Sequence, residues 1–161
     1  MSDLPTLLER FRRGPEVLAL VLTGVFGEEE DFVAKEGDWS IRQIVAHVAD
    51  AELVGAHRMR LVVAEDNPLL TAFDQDAWVL RLDYARRKPK SSLESFRRVR
   101  AENHELLKDL PAAAWDRAGN HTENGRLTLL GLVEGYAGHA EEHARQIQEI
   151  RDEYKRAKGR K

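Results

Sequence analysis

From Thr128 to Tyr154 the apolar residues Leu129, Leu132, Val133, Tyr136, Ala140, Ile147, Ile150 and Tyr154 recur at three- and four-residue intervals. That period belongs to a long helix with one buried face, and Thr128 supplies its N-cap. Such a stripe needs partners, and the chain offers three more of the same kind. Leu4, Leu7, Leu8 and Phe11, then Val17, Leu18, Val21 and Leu22, mark a first helix. Gly14-Pro15 interrupts it, and the missing proline donor predicts a kink or two helices meeting end to end. The acidic, glycine-punctuated stretch from Phe26 to Asp38 reads as a loop.

The second helix has the clearest start. Ser40 with Gln43 three residues on forms a capping box, and Trp39 before it is placed to staple onto Ile44. Ile41, Ile44, Val48, Ala51, Gly55 and Val62 form its stripe to about Glu65, and Asn67-Pro68 ends it. A third helix is expected from Ser91, with Glu94 completing a second capping box, then Leu93, Phe96, Arg100, Asn103, Leu107 and Leu110 on one face and Pro111 as the stop. Between helices two and three lie roughly 24 residues, long for a connection in one domain. Asp76 to Leu82 reads there as a short helix across the bundle. A connection of that length lets helices two and three run parallel. Ala112 to Arg126, with turn signals at Gly119-Asn120 and Asn124-Gly125, reads as a loop. No strand alternation or internal repeat is visible. The expected fold is all-α, a four-helix bundle in one domain over residues 1–154, with a basic disordered tail at 155–161.

Composition bounds the partners. A chain of 161 residues suits one sizeable core. A net charge of -3, from 25 basic and 28 acidic residues, provides no electropositive surface for a phosphate backbone, so no nucleic acid is expected. No run approaches the ~18 apolar residues of a membrane span, and no signal-like segment opens the chain. With no cysteine, a metal must be held by His, Asp or Glu, and a cytoplasmic location is the expectation.

His139 and His143 lie four apart on the buried side of the last helix, the spacing that lets two imidazoles reach one ion. Neutral imidazoles in an apolar crevice need partners for their ring nitrogens, and a shared cation satisfies two at once. His47, on the inner flank of the second helix, completes three nitrogens. Three histidines with an open position describe a catalytic site, whereas a structural one is closed by a fourth ligand. Asp50, one turn beyond His47, is a candidate for contact with a ligand, and Asn103 for a hydrogen bond at the site or for fixing helix register. Glu142 completes an H-x-x-E-H pattern with the histidine pair, the inverted zinc-peptidase arrangement in which glutamate is the base. Its place off the buried stripe favours a solvated role. His57, His104 and His121 are expected at the surface or rim, and Trp78, Tyr84 and Trp115 are candidates for core or pocket wall.

The segment Trp39-Ser40-Ile41-Arg42-Gln43-Ile44-Val45-Ala46-His47-Val48-Ala49-Asp50-Ala51-Glu52 resembles the second-helix signature of the DinB/YfiT-like family. Ala64-Glu65-Asp66-Asn67-Pro68, the stretch Phe73-Asp74-Gln75-Asp76-Ala77-Trp78, and Gly125-Arg126-Leu127-Thr128 leading to Tyr136, His139 and His143 extend the resemblance over nearly the whole chain. It implies a four-helix bundle with an up-down-down-up course and one divalent ion, zinc or nickel, on His47, His139 and His143. It also implies a small-molecule substrate and a metal-activated nucleophile, either water in a hydrolase or a low-molecular-weight thiol in a transferase. The alternative is a non-catalytic, metal-stabilised bundle that dimerises or binds a partner. A homodimer is compatible with a bundle, although no exposed stripe demands one.

Overall fold

A computed structural model describes residues 3–159. Its elements are α1 (Leu4–Val21), α2 (Glu28–Asp31), α3 (Ile41–Ala64), β1 (Leu69–Leu70), α4 (Gln75–Arg81), α5 (Pro89–Leu107), β2 (Ala118–His121), β3 (Gly125–Thr128) and α6 (Leu129–Gly159), with 3-10 turns at Tyr84–Arg86 and Ala112–Asp116. The four long helices form the bundle, and cross-helix bonds set their directions. Arg10 to Glu141 and Arg151 to the Val21 carbonyl align α1 parallel to α6. Arg100 to Glu52 and Arg60 to Asn103 align α3 parallel to α5. His47 against His139 and Arg58 against Tyr136 make α3 and α6 antiparallel. The course is up-down-down-up, and the long connection through β1 and α4 returns the chain for the parallel α3–α5 pair.

Two apolar clusters fill the interior. One gathers Leu7, Phe11, Met59, Val62, Leu107, Leu129 and Val133, and the other Leu18, Ile41, Ile44, Val48, Phe96, Ala144 and Ile147. Between them along the helices lies a polar layer. Arg100 and Glu52, each side chain 1% exposed, pair there through bonds of 2.8 and 2.7 Å. Asn103 Nδ2 donates to the same carboxylate at 3.2 Å.

This layer explains why Gly14-Pro15 causes no break. α1 runs continuously through Pro15. Proline cannot donate to the Phe11 carbonyl four residues back, and the Arg100 guanidinium donates to that oxygen instead, at 2.6 Å. Gly14 leaves the room for it: a Cβ there would stand 2.7 Å from Arg100 Nη1. The guanidinium also lies over the Phe11 ring, 3.9 Å from its centroid.

The Ser40–Gln43 capping box forms in both directions, at 2.9 and 3.4 Å. Thr128 Oγ1 accepts from the Gly131 amide at 3.0 Å and caps α6. The expected second box does not start a helix: α5 opens at Pro89, whose fixed φ and missing donor suit the first helical position. The expected loop from Ala112 to Arg126 contains β2 and the first half of β3. β2 pairs parallel with β1 (Leu69 with Asn120, Leu70 with His121) and antiparallel with β3. The expected Phe26 to Asp38 loop contains α2, and the short helix in the long connection is α4. At the C-terminus the helix continues past Tyr154 to Gly159, where a disordered tail was expected. Lys158 bonds Glu28 at 2.6 Å and lies over the Tyr154 ring. Residues 160 and 161 lie outside the described residues.

Candidate metal centre

The capping box fixes the entry of α3, and His47 comes two turns later with its ring only 1% exposed. The Trp39 ring covers it, with centroids 5.0 Å apart. From α6, His139 and His143 project onto the same spot. His139 Nε2 lies 3.0 Å from His47 Nε2 and 3.0 Å from His143 Nε2. The three residues form a group that could hold a metal ion, with ligand atoms within 4.8 Å of one another.

Protons alone cannot satisfy this convergence. A neutral imidazole carries one N–H and one lone pair, so His139 Nε2 can donate to only one of its two neighbours. The amide oxygen of Gln146 lies 2.8 Å from His143 Nδ1, which places the His143 proton on Nδ1 and leaves its Nε2 as a lone pair. Charge is disfavoured throughout. Burial, reinforced by His143, pushes His47 down to about 4 against the opposing charge of Asp50. Burial, reinforced by His143, His47 and Arg100, pushes His139 down to about 3. His143 is lowered by burial, with the Gln146 bond and Glu142 opposing. Three neutral imidazoles with their Nε2 atoms together are a donor set that suits a divalent cation. His47 Nδ1 is buried without a hydrogen-bond partner.

The other sequence candidates lie elsewhere. Asp50 accepts from the Tyr84 hydroxyl and from Arg87, each at 2.8 Å, and acts on His47 only through its charge. Burial and that bond raise Tyr84. Asn103 is fully buried but bonds Glu52 and Arg60 in the polar layer, so it serves helix register. Glu142 is exposed on the outer face of α6. Trp115 belongs to the core, while Trp78 stacks on Phe73 with centroids 4.5 Å apart.

Beside the triad opens a cavity of about 290 Å³, with His47 and His139 in its wall next to Arg58, Phe73, His121 and Tyr136. His121 was expected at the surface or rim, but β2 carries it inward to the cavity wall and leaves it 6% exposed, because pairing with Leu70 closes one side of the strand. Burial and Arg58 lower its pKa. Sequence reasoning also missed Arg58 and Tyr136 as neighbours of the site. A signal was present in Gly55 of the α3 stripe: a Cβ there would meet the Tyr136 ring at 2.6 Å. Arg58 Nη1 donates to the Tyr136 hydroxyl at 3.2 Å and Nη2 to the Thr71 carbonyl.

A family model described as the DinB superfamily matches residues 10–147. A protein of Oceanobacillus iheyensis named "Putative metal-dependent hydrolase" is 26% identical over 133 residues, covering 83% of this chain and 77% of its own. A protein of the same name from Halalkalibacterium halodurans is 28% identical over 115 residues, covering 71% and 67%. The solved structure of YfiT from Bacillus subtilis, described as a probable metal-dependent hydrolase with an unusual four-helix bundle topology, superposes with a TM-score of 0.85. It is 23% identical and covers 91% of this chain and 84% of that one.

Proposed function

Because the chain belongs to the DinB superfamily, we propose that it is a metal-dependent hydrolase of a small molecule, with His47, His139 and His143 as the protein ligands of one divalent ion. The observation that carries this reading is the cavity against the triad: His47 and His139 form part of its wall, so the convergence of nitrogens borders space for a substrate. A non-catalytic module would favour the opposite arrangement, an ion sealed under packed side chains. The relatives named for metal-dependent hydrolysis support the same reaction class.

An all-nitrogen donor set suits zinc or nickel. When bound, such an ion is a Lewis acid that makes a water, or a low-molecular-weight thiol, nucleophilic at neutral pH. The thiol version rests on the family resemblance alone.

The chain's own contributions are positional. Gln146 holds the proton of His143 on Nδ1 and keeps Nε2 free to ligate. Trp39 covers the His47 ring and keeps that side dry. Tyr136, on the same helix as His139, brings its hydroxyl to Arg58 at the cavity wall.

The test is a panel of small amides and esters offered to zinc- and nickel-loaded protein, beside the His143→Ala variant. The expected result is metal-dependent hydrolysis that His143→Ala loses while its helical circular dichroism is unchanged. Metal-loaded protein inert toward the panel and toward thiol transfer would leave the module reading.

A further inference from the structure

Arg58 is a buried cation without an anion. It is only 9% exposed, yet among the described residues no carboxylate pairs with it. Its contacts are neutral, the Tyr136 hydroxyl and the Thr71 carbonyl, and its Nε is buried with no partner at all. Arg100 shows how this chain treats a buried guanidinium that serves the fold, with a two-point carboxylate. A buried charge left unpaired is costly, and Arg58 lies on the wall of the cavity beside the histidines.

The groups around it are donors too. His121 Nδ1 accepts from the backbone amides of Glu123 and Asn124, at 3.2 and 3.3 Å. A nitrogen that accepts carries no proton, so the proton sits on Nε2. His121 Nε2 has no partner among the described residues and is the nitrogen left for a ligand. The Tyr136 oxygen accepts from Arg58, which leaves its own hydrogen free to donate. One cation and two neutral donors thus border a cavity whose wall also carries the apolar Phe73, Leu127 and Leu132, the amides Gln75 and Asn124, and His47 and His139 of the triad.

We propose that this cavity binds a small organic carboxylate, its oxygens held by Arg58, the His121 Nε2–H and the Tyr136 hydroxyl, and its apolar remainder against Phe73, Leu127 and Leu132. The inference names a substrate class for the proposed hydrolase and rests on that reading only for the reaction; the binding claim concerns Arg58 and stands without a metal. The apolar wall favours an organic acid over an inorganic anion. At about 290 Å³ the cavity is at the small end of ligand sites, for which ~300–1,000 Å³ is usual.

The experiment titrates phenylacetate, its neutral isostere phenylacetamide, and inorganic phosphate into chelator-stripped and zinc-loaded protein. Calorimetry and the ¹⁵N resonances of the His121 ring are the readouts. Stripped wild-type protein is expected to bind phenylacetate at least about tenfold more tightly than phenylacetamide, and Arg58→Gln to lose that preference. Arg58→Lys, which keeps charge but not the planar fork, is expected to retain part of it. Phenylacetate, unlike phenylacetamide, moves the His121 Nε2 resonance, a test on wild-type protein that holds even if Arg58→Gln fails to fold. Equal affinity for acid and amide overturns the proposal. So does phosphate binding as tightly as phenylacetate, or acid binding that requires zinc and is unchanged in Arg58→Gln. A protein that takes up no zinc fails the metal reading and leaves the stripped-protein comparison intact.

Discussion

Replacing Glu52 with glutamine tests the polar layer that holds the four helices in register. The carboxylate accepts from Arg100 Nε and Nη2 at 2.8 and 2.7 Å and from Asn103 at 3.2 Å. Glutamine keeps the shape and one acceptor, but turns an amide donor toward a guanidinium donor in a site where both side chains are 1% exposed. Breaking a buried pair on one side costs ~3–5 kcal/mol. Arg100 keeps the Phe11 and Tyr136 carbonyls and the Phe11 ring, so the lower end, about 3 kcal/mol, is expected. For a chain of this size that lowers Tm by roughly 6–12 °C, measured by circular dichroism melts and checked by urea titration. Glu52→Leu with Arg100→Met removes both charges and is expected to recover part of the loss. The recovery stays incomplete because the Phe11 carbonyl opposite Pro15 loses its donor. Adding Pro15→Ala returns an amide to that carbonyl and is expected to regain about 1 kcal/mol. A Tm for Glu52→Gln within about 2 °C of wild type would refute the reasoning, since it leaves less than ~1 kcal/mol for the pair.

Three further outcomes follow from the site. His47 and His139 sit at about 4 and about 3 when folded, below the ordinary 6.5. The unfolded chain therefore takes up protons first as pH falls. Metal-free protein is expected to keep its full stability above pH 6.5 and lose it as pH falls, from about 6.5 to 4 through His47 and from about 6.5 to 3 through His139, at up to ~1.4 kcal/mol per pH unit for each proton, and a flat urea midpoint over that window would contradict the burial. Gly55→Ala places a methyl 2.6 Å from the Tyr136 ring and is expected to cost ~1–3 kcal/mol in urea unfolding while shifting the Tyr136 resonances. Gln146→Leu removes the bond that fixes the His143 tautomer and is expected to weaken zinc binding ~10–100-fold in competition titrations, with helicity unchanged.

What the sequence revealed followed from local rules. The period of α6 placed His139 and His143 on one side, the Ser40–Gln43 box set the phase of α3 and hence His47, and both need only the chain within a few turns. What it hid was non-local. Pro15 reads as a breaker unless Arg100, 89 residues away in sequence from Phe11, is known to satisfy the carbonyl that proline leaves. The three strands are two to four residues long, too short for alternation to register, and their first pairing joins Leu69 to Asn120 across the whole of α4 and α5. His121 was read as a loop residue for that reason, although the sheet buries it beside Arg58. At α5 the Ser91–Glu94 box matched a start signal, but Pro89 is equally suited to the first turn and comes earlier in the chain.

The central claim is that His47, His139 and His143 hold one divalent ion, and metal content tests it most directly. Protein purified without chelators and without an affinity tag that binds metals, then dialysed against zinc and analysed by mass spectrometry of the elements, is expected to carry one ion per chain. His139→Ala, prepared in the same way and equally helical, is expected to carry almost none. Wild-type protein that emerges metal-free and takes up neither zinc nor nickel on titration would contradict the account.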